Sequence, residues 1–241
     1  MKHPTALFFD LDETLLDDER CWRIAVSLAC RELRSRHPSI DSGALEQAYL
    51  ENSARIWTAF GSVPRTRSGS SSARDLRLMV WSYVLDGFGA SVAGLAEDAV
   101  DTYERHRRGN YVCFPEVLPV LQRLRGRLPI AVITNGPGDG QREKLDLTGL
   151  MPLFDFIVAS ADIGVSKPDA AIFQFALDKL GVAPEHVWHV GDNLHVDVAG
   201  ARNAGLTAVW LNRNGAARSP EHPEPHVEIR SLTELLEYIE P

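Results

Sequence analysis

The chain has 241 residues, 44% hydrophobic and 24% charged, an ordinary composition for a globular protein that forms one large unit or a core carrying a smaller one. Its formal net charge of −8 argues against general nucleic-acid binding, which requires phosphates to be neutralised by lysine and arginine. The N-terminal apolar run Ala6–Phe9 is too short for a signal-peptide core or a membrane span, and the three cysteines (Cys21, Cys30, Cys113) lack metal-ligand spacing, so a reduced, cytoplasmic setting is expected.

The first stretch with strand character is "ALFF" (6–9), followed at once by the acids of "DLDETLLD" (10–17). Residues 18–111 then hold no comparable apolar run. They show helical stretches over about 19–36, 42–60, 73–86 and 92–108, interrupted by a Gly/Ser/Arg-rich loop at 63–77. Trp57, Phe60, Trp81 and Phe88 sit at helical spacings and are expected to form the core of this segment.

From residue 112 onward the pattern alternates. The runs "PIAVIT" (129–134), "FIVAS" (156–160), "HVWHV" (186–190) and "TAVWL" (207–211) suit strands buried on both faces. Helical patterns at 115–127, 140–150, 169–181 and 194–205 separate them, with Gly181 and Gly205 as stops. Segment 219–226 reads as a surface loop, and Ser231 with Glu234 has capping-box spacing ahead of a last helix. This predicts an α/β core of residues 1–17 and 112–241, a Rossmann-like three-layer sandwich around a parallel sheet, with an all-helical domain at 18–111 inserted after the first strand.

Ligands of an open parallel sheet bind beyond the carboxyl ends of its strands, so the residues there carry the functional reading. They are Asp10, Asp12 and Thr14 after the first strand and Thr134 and Asn135 after the second. Lys167 follows the third, and Asp192 and Asp197 follow the fourth. Carboxylates gathered in one crevice repel unless a cation lies among them, and an all-oxygen set suits Mg²⁺ better than zinc. A carboxylate can attack phosphorus to give an aspartyl-phosphate, with a second acid serving the leaving oxygen and then water. Each residue also has a plainer reading: a surface acid after an edge strand, a loop lysine, an Asn-Gly turn, a first-turn acid of a helix. His189, inside a strand, reads as a core residue.

The ordered set "DLDET" (10–14), "TN" (134–135), Lys167 and "GDNLHVD" (191–197) resembles the four motifs of the haloacid dehalogenase-like hydrolase superfamily. The resemblance implies a nucleophile at Asp10 and a general acid/base at Asp12. It implies Mg²⁺ held by Asp10, the Asp12 backbone carbonyl and Asp192, and a phosphoryl group held by Thr134, Asn135 and Lys167. Thr14 and Asp197 would support that shell, and the helical insert resembles the superfamily's type-1 cap. Among the cap arginines Arg65, Arg67 and Arg74 beside the polar loop, Arg67 is the candidate substrate contact.

The stretches "ITNGPGDGQREKL" (133–145) and "VWLNRNG" (209–215) are similar to the N-acylneuraminate-9-phosphatase family, and 147–177 to a pyrimidine 5′-nucleotidase branch. The expected activity is Mg²⁺-dependent hydrolysis of a small phosphorylated metabolite, a sugar-acid phosphate first and a nucleoside monophosphate as the alternative. A non-catalytic metal-binding regulatory module is the contrasting class, and a phosphomutase fits "DLDET" equally. Asp12 argues against a dehalogenase. No stretch declares an interface, so monomer and dimer both stand. Of the 25 basic residues only Lys2, Lys144, Lys167 and Lys179 are lysines, which draws attention to where each one lies.

Overall fold

In the computed structural model, which describes residues 3–61, 72–88 and 93–239, strand β1 (Ala6–Phe9) is buried at every position. A strand can be apolar throughout only when both faces of its sheet are covered. Its alternating side chains feed two different cores. Leu7 and Phe9 pack with Val120, Leu121, Leu232 and Leu235 on one side, and Ala6 and Phe8 pack with Phe173, Leu177 and Ala201 on the other.

Helices α1 (Asp18–Arg36), α2 (Ser42–Gly61), α3 (Ala73–Gly87) and α4 (Leu95–Arg108) come next in the chain. The order then runs α5 (Val117–Leu124), β2 (Ile130–Thr134), α6 (Gly138–Leu147), β3 (Phe156–Ala159), the single turn α7 (Ser160–Ile163), α8 (Ala170–Leu180), β4 (Val187–Gly191), α9 (Ala199–Asn203), β5 (Thr207–Leu211), β6 (Val227–Ile229) and α10 (Leu232–Ile239). All strand pairs are parallel, in the order β3-β2-β1-β4-β5-β6. Connections run one way from β1 through β2 to β3 and then cross back to β4, so the switch in strand order lies between β1 and β4. A crevice at the carboxyl ends of these strands is where such a sheet takes a ligand.

The described residues divide into two compact units, 1–17 with 113–241, and 18–112. Helices are the regular secondary structure of the second among its described residues, and it has its own core. Trp81 packs 4.6 Å from Tyr49 and 6.2 Å edge-on from Tyr103. Ser72 caps α3 in a reciprocal box with Asp75, so the helix begins at 73, as the helical pattern over 73–86 implies, and the loop read at 63–77 does not reach past Ser72. Buried Arg77 donates to buried Glu104 at 2.9 Å. Phe88, expected in this core, is exposed at the end of α3, and the side chains of Trp57 and Phe60 lie outside the described residues.

Three other expectations need correction. Strand β6 was not foreseen: it is three residues long, with only Val227 and Ile229 buried, too short for periodicity to reveal. The span 194–205 is not one α-helix, because Leu194–Val198 is a π-type turn that precedes α9. At the last helix the Ser231 hydroxyl accepts from Thr233 N, while Glu234 reaches back to the Arg230 N–H, one residue before the expected partner.

Candidate active site

Asp10 follows β1 directly, and its N–H donates to the Val190 carbonyl of β4, which ties the acid to the switch point. Lys167, on the loop after β3 and α7, places its Nζ 2.5 Å from Asp10 Oδ1 and 2.7 Å from Asp197 Oδ1. Asp197 also accepts from the Asn193 N–H at 3.1 Å and from His189 Nε2 at 3.0 Å. The Thr14 hydroxyl lies 3.5 Å from Asp10 Oδ2 and 3.4 Å from Asp192 Oδ1. Gly191 makes room for this arrangement: a Cβ there would stand 2.2 Å from the Asp197 carboxyl carbon. The π-type turn opens at the same place, carrying Asp197 back against the end of β4.

The electrostatics divide the acids. Burial raises the Asp10 carboxyl well above the usual range and Asp197 and Asp192 raise it further, against the opposing pull of Lys167. Burial and then Asp197 push Asp192 up to about 6. Asp197 goes the other way, since Lys167 and the His189 hydrogen bond outweigh its burial and hold it well below the usual carboxylate range. For Lys167, burial opposes the charge, yet Asp10 and Asp197 outweigh it and raise the ammonium. Burial lowers His189, a neutral core imidazole whose Nε2–H faces Asp197 and whose Nδ1 has no partner among the described residues.

Asp10, Asp192 and Asp197 each offer an oxygen within 4.8 Å of the others. Burial first and the neighbouring acids second raise the Asp10 and Asp192 carboxyls, and an all-oxygen donor set of clustered carboxylates fits a hard divalent cation.

The Asp12 side chain turns to a different set of partners. Lys144 Nζ lies 2.7 Å from each of its carboxylate oxygens, and Gln141 Nε2 donates to Oδ2 at 3.1 Å. Gln141 also donates to Thr134 Oγ1 at 2.5 Å and to the Asn135 carbonyl at 3.1 Å. Both residues lie on α6 and not at a strand end, so the strand-end pattern does not reach them. Their signals were the i, i+3 spacing and the scarcity of lysine.

Thr134 stands buried at the end of β2, as expected of a strand-end residue. The Asn135 side chain is not held out towards a ligand, as its expected role requires. Its Nδ2 donates to the Lys167 carbonyl at 3.0 Å and its Oδ1 accepts from the Lys167 N–H at 2.8 Å, so it orients the lysine loop. Arg65 and Arg67 lie outside the described residues, and Arg74 pairs with Asp101 and Glu104 within its own unit. Glu13, between Asp12 and Thr14, has a left-handed φ of 60°, a strained backbone at the turn that separates the two side chains.

The family model described as haloacid dehalogenase-like hydrolase matches residues 4–205. The chain is 34% identical to the phosphoserine phosphatase of Thermus thermophilus over 93% of this chain and 94% of that one. It is 28% identical to the N-acylneuraminate-9-phosphatase of Homo sapiens, over 95% and 91% of the two chains. A solved HAD-hydrolase from Bacillus subtilis, bound to magnesium, is similar over the full length of both chains at 26% identity and a TM-score of 0.75. Among the described residues no helix is long and apolar enough to cross a membrane.

Proposed function

The chain belongs to the haloacid dehalogenase-like hydrolase family, and from that premise we propose that it is a Mg²⁺-dependent phosphatase of small metabolites phosphorylated on a primary alcohol. The observation that carries this reading is the Asp10 carboxylate at the switch point, 2.5 Å from a buried ammonium and two residues before a second carboxylate with partners of its own. Asp10 Oδ attacks phosphorus and the bond from phosphorus to the ester oxygen breaks, while Asp12 supplies the proton that the leaving oxygen takes up. Asp12 then removes a proton from water, whose oxygen attacks phosphorus. The Asp10–phosphorus bond breaks, and the alcohol and inorganic phosphate are the products.

Lys167 and the Thr134 hydroxyl would hold the non-bridging oxygens as they gather charge. Asp197 and the Asn135 side chain hold Lys167 in place. Asp10, Asp192 and the Asp12 main-chain carbonyl would hold Mg²⁺, which when bound supplies Lewis-acid polarisation of the phosphoryl oxygens.

The substrate class follows from chemistry that the relatives' names share. Phosphoserine and N-acylneuraminate 9-phosphate are both primary-alcohol esters attached to a carboxylic acid, and both support a sugar-acid or amino-acid phosphate as substrate. A nucleoside 5′-monophosphate is likewise a primary ester and is the alternative. Such metabolites, and three cysteines that are all free, go with a cytoplasmic location.

Phosphate release with Mg²⁺ from a panel of these three classes tests the reading, with Asp10→Asn as control. Turnover of at least one class and its loss by about 10³-fold or more in Asp10→Asn are expected. Activity retained in that variant refutes the mechanism, and no turnover of any class by the native chain favours the regulatory module.

A further inference from the structure

We propose that Lys144, assisted by Gln141, is a positioning residue that sets the Asp12 carboxylate for proton exchange with the leaving-group oxygen; this rests on the phosphatase reading above. Asp12 stands on a turn, not in a strand. Its side chain is one-third exposed and its terminal torsion is intrinsically soft, so the turn alone leaves the carboxylate free to rotate. Lys144 removes that freedom. Equal 2.7 Å contacts to both oxygens fix the carboxylate plane, and the Gln141 contact to Oδ2 makes the two oxygens inequivalent.

The clamp is itself anchored. Gln141 ties α6 to Thr134 and Asn135 at the end of β2, and Lys144 is 5% exposed, so its stem lies in packed surroundings. Asp12 is thereby registered to the strand end that carries the proposed phosphoryl-binding hydroxyl.

Lysine usage supports a dedicated role. With four lysines among 25 basic residues, this chain uses arginine for nearly every positive charge. Yet the two lysines buried among the described residues, Lys144 and Lys167, each grip one aspartate of the "DLD" segment, from α6 and from the loop after β3 and α7. Lys179, by contrast, lies over the Phe175 ring on α8. An ammonium is a compact point charge with rotatable donors and a guanidinium is a wider planar fork, so the two are not interchangeable at a buried carboxylate. If Lys144 only offset charge to support the fold, its loss would affect every substrate equally.

The test compares kcat/KM for phenyl phosphate and 4-nitrophenyl phosphate, similar esters whose leaving oxygens differ in basicity. Phenolate needs a proton during departure far more than 4-nitrophenolate does. Lys144→Met, which keeps the length of the stem, should lower kcat/KM for phenyl phosphate about 10- to 100-fold, but for the nitrophenyl ester by less than about 3-fold. Inhibition by inorganic phosphate should stay within about two-fold of native, because the phosphoryl site is untouched. Lys144→Arg should recover part of the discrimination, and it carries the same comparison if Lys144→Met does not fold.

Equal losses on both esters, no loss, or weakened phosphate inhibition that accounts for the loss would each overturn the proposal. Asp12→Asn serves as the reference. If it treats the two esters alike, the acid–base role of Asp12 is wrong and the Lys144 proposal falls with it. An active Asp10→Asn marks the separate failure of the phosphatase reading.

Discussion

Asp197→Asn is the most informative single change to the buried framework. The native carboxylate is 1% exposed and accepts hydrogen bonds from Lys167 Nζ, His189 Nε2 and the Asn193 N–H, at 2.7, 3.0 and 3.1 Å. Removing one partner of a buried ion pair costs about 3–5 kcal/mol. Asp10 remains for Lys167 and asparagine preserves the shape, so the lower end, about 3 kcal/mol, applies. For a chain of this length that corresponds to a fall in Tm of about 6–12 °C.

The effect also has a signed pH dependence. The folded Asp197 carboxyl lies below its unfolded value, so its stabilisation is complete above about pH 4 and is lost as pH falls towards the folded value. Thermal unfolding of both proteins in chelator, from pH 7 down to pH 3, should therefore show a gap that narrows below about pH 4. An unchanged Tm at pH 7, or a gap of constant size across the range, would refute the reasoning.

Gly191→Ala puts a methyl group within 2.2 Å of the Asp197 carboxyl carbon and should cost about 1–3 kcal/mol in denaturant unfolding. Because Asp197 positions Lys167, phosphate-release assays should show a fall of about 10²-fold as well. In the helical unit, Glu104→Gln leaves buried Arg77 without its carboxylate and should destabilise by about 2–3 kcal/mol, measured by urea denaturation, whereas Asp101→Asn on the exposed Arg74 pair should change less than about 1 kcal/mol. Chelation should abolish phosphate release and Mg²⁺ should restore it.

The residues legible in the sequence were those whose position alone implies chemistry. Asp10, Thr134 and Asp192 each follow an apolar run that suits a buried strand, and the parallel sheet brings those ends together. Lys167 was legible as the ammonium after the third such run. Gln141 and Lys144 were not, because polar residues three apart on a helix read as a solvated face. Their burial is decided by where α6 meets the turn after β1, a long-range contact that no local period encodes. Asn135 was identified as a site residue, but its amide completes the Lys167 backbone, a partner 32 positions away. His189 was read as core, and its contact with Asp197 follows from the π-type turn, which the helical pattern at 194–205 concealed.

The central claim is that Asp10 carries the phosphoryl group. Acid-quenching the enzyme during turnover of 4-nitrophenyl phosphate, then reducing with borohydride, converts an aspartyl-phosphate to homoserine, which peptide mass spectrometry locates. The account predicts homoserine at position 10 in the native enzyme and none in Asp10→Asn. Homoserine at position 12, or an intact Asp10 in enzyme quenched at full turnover, would contradict it.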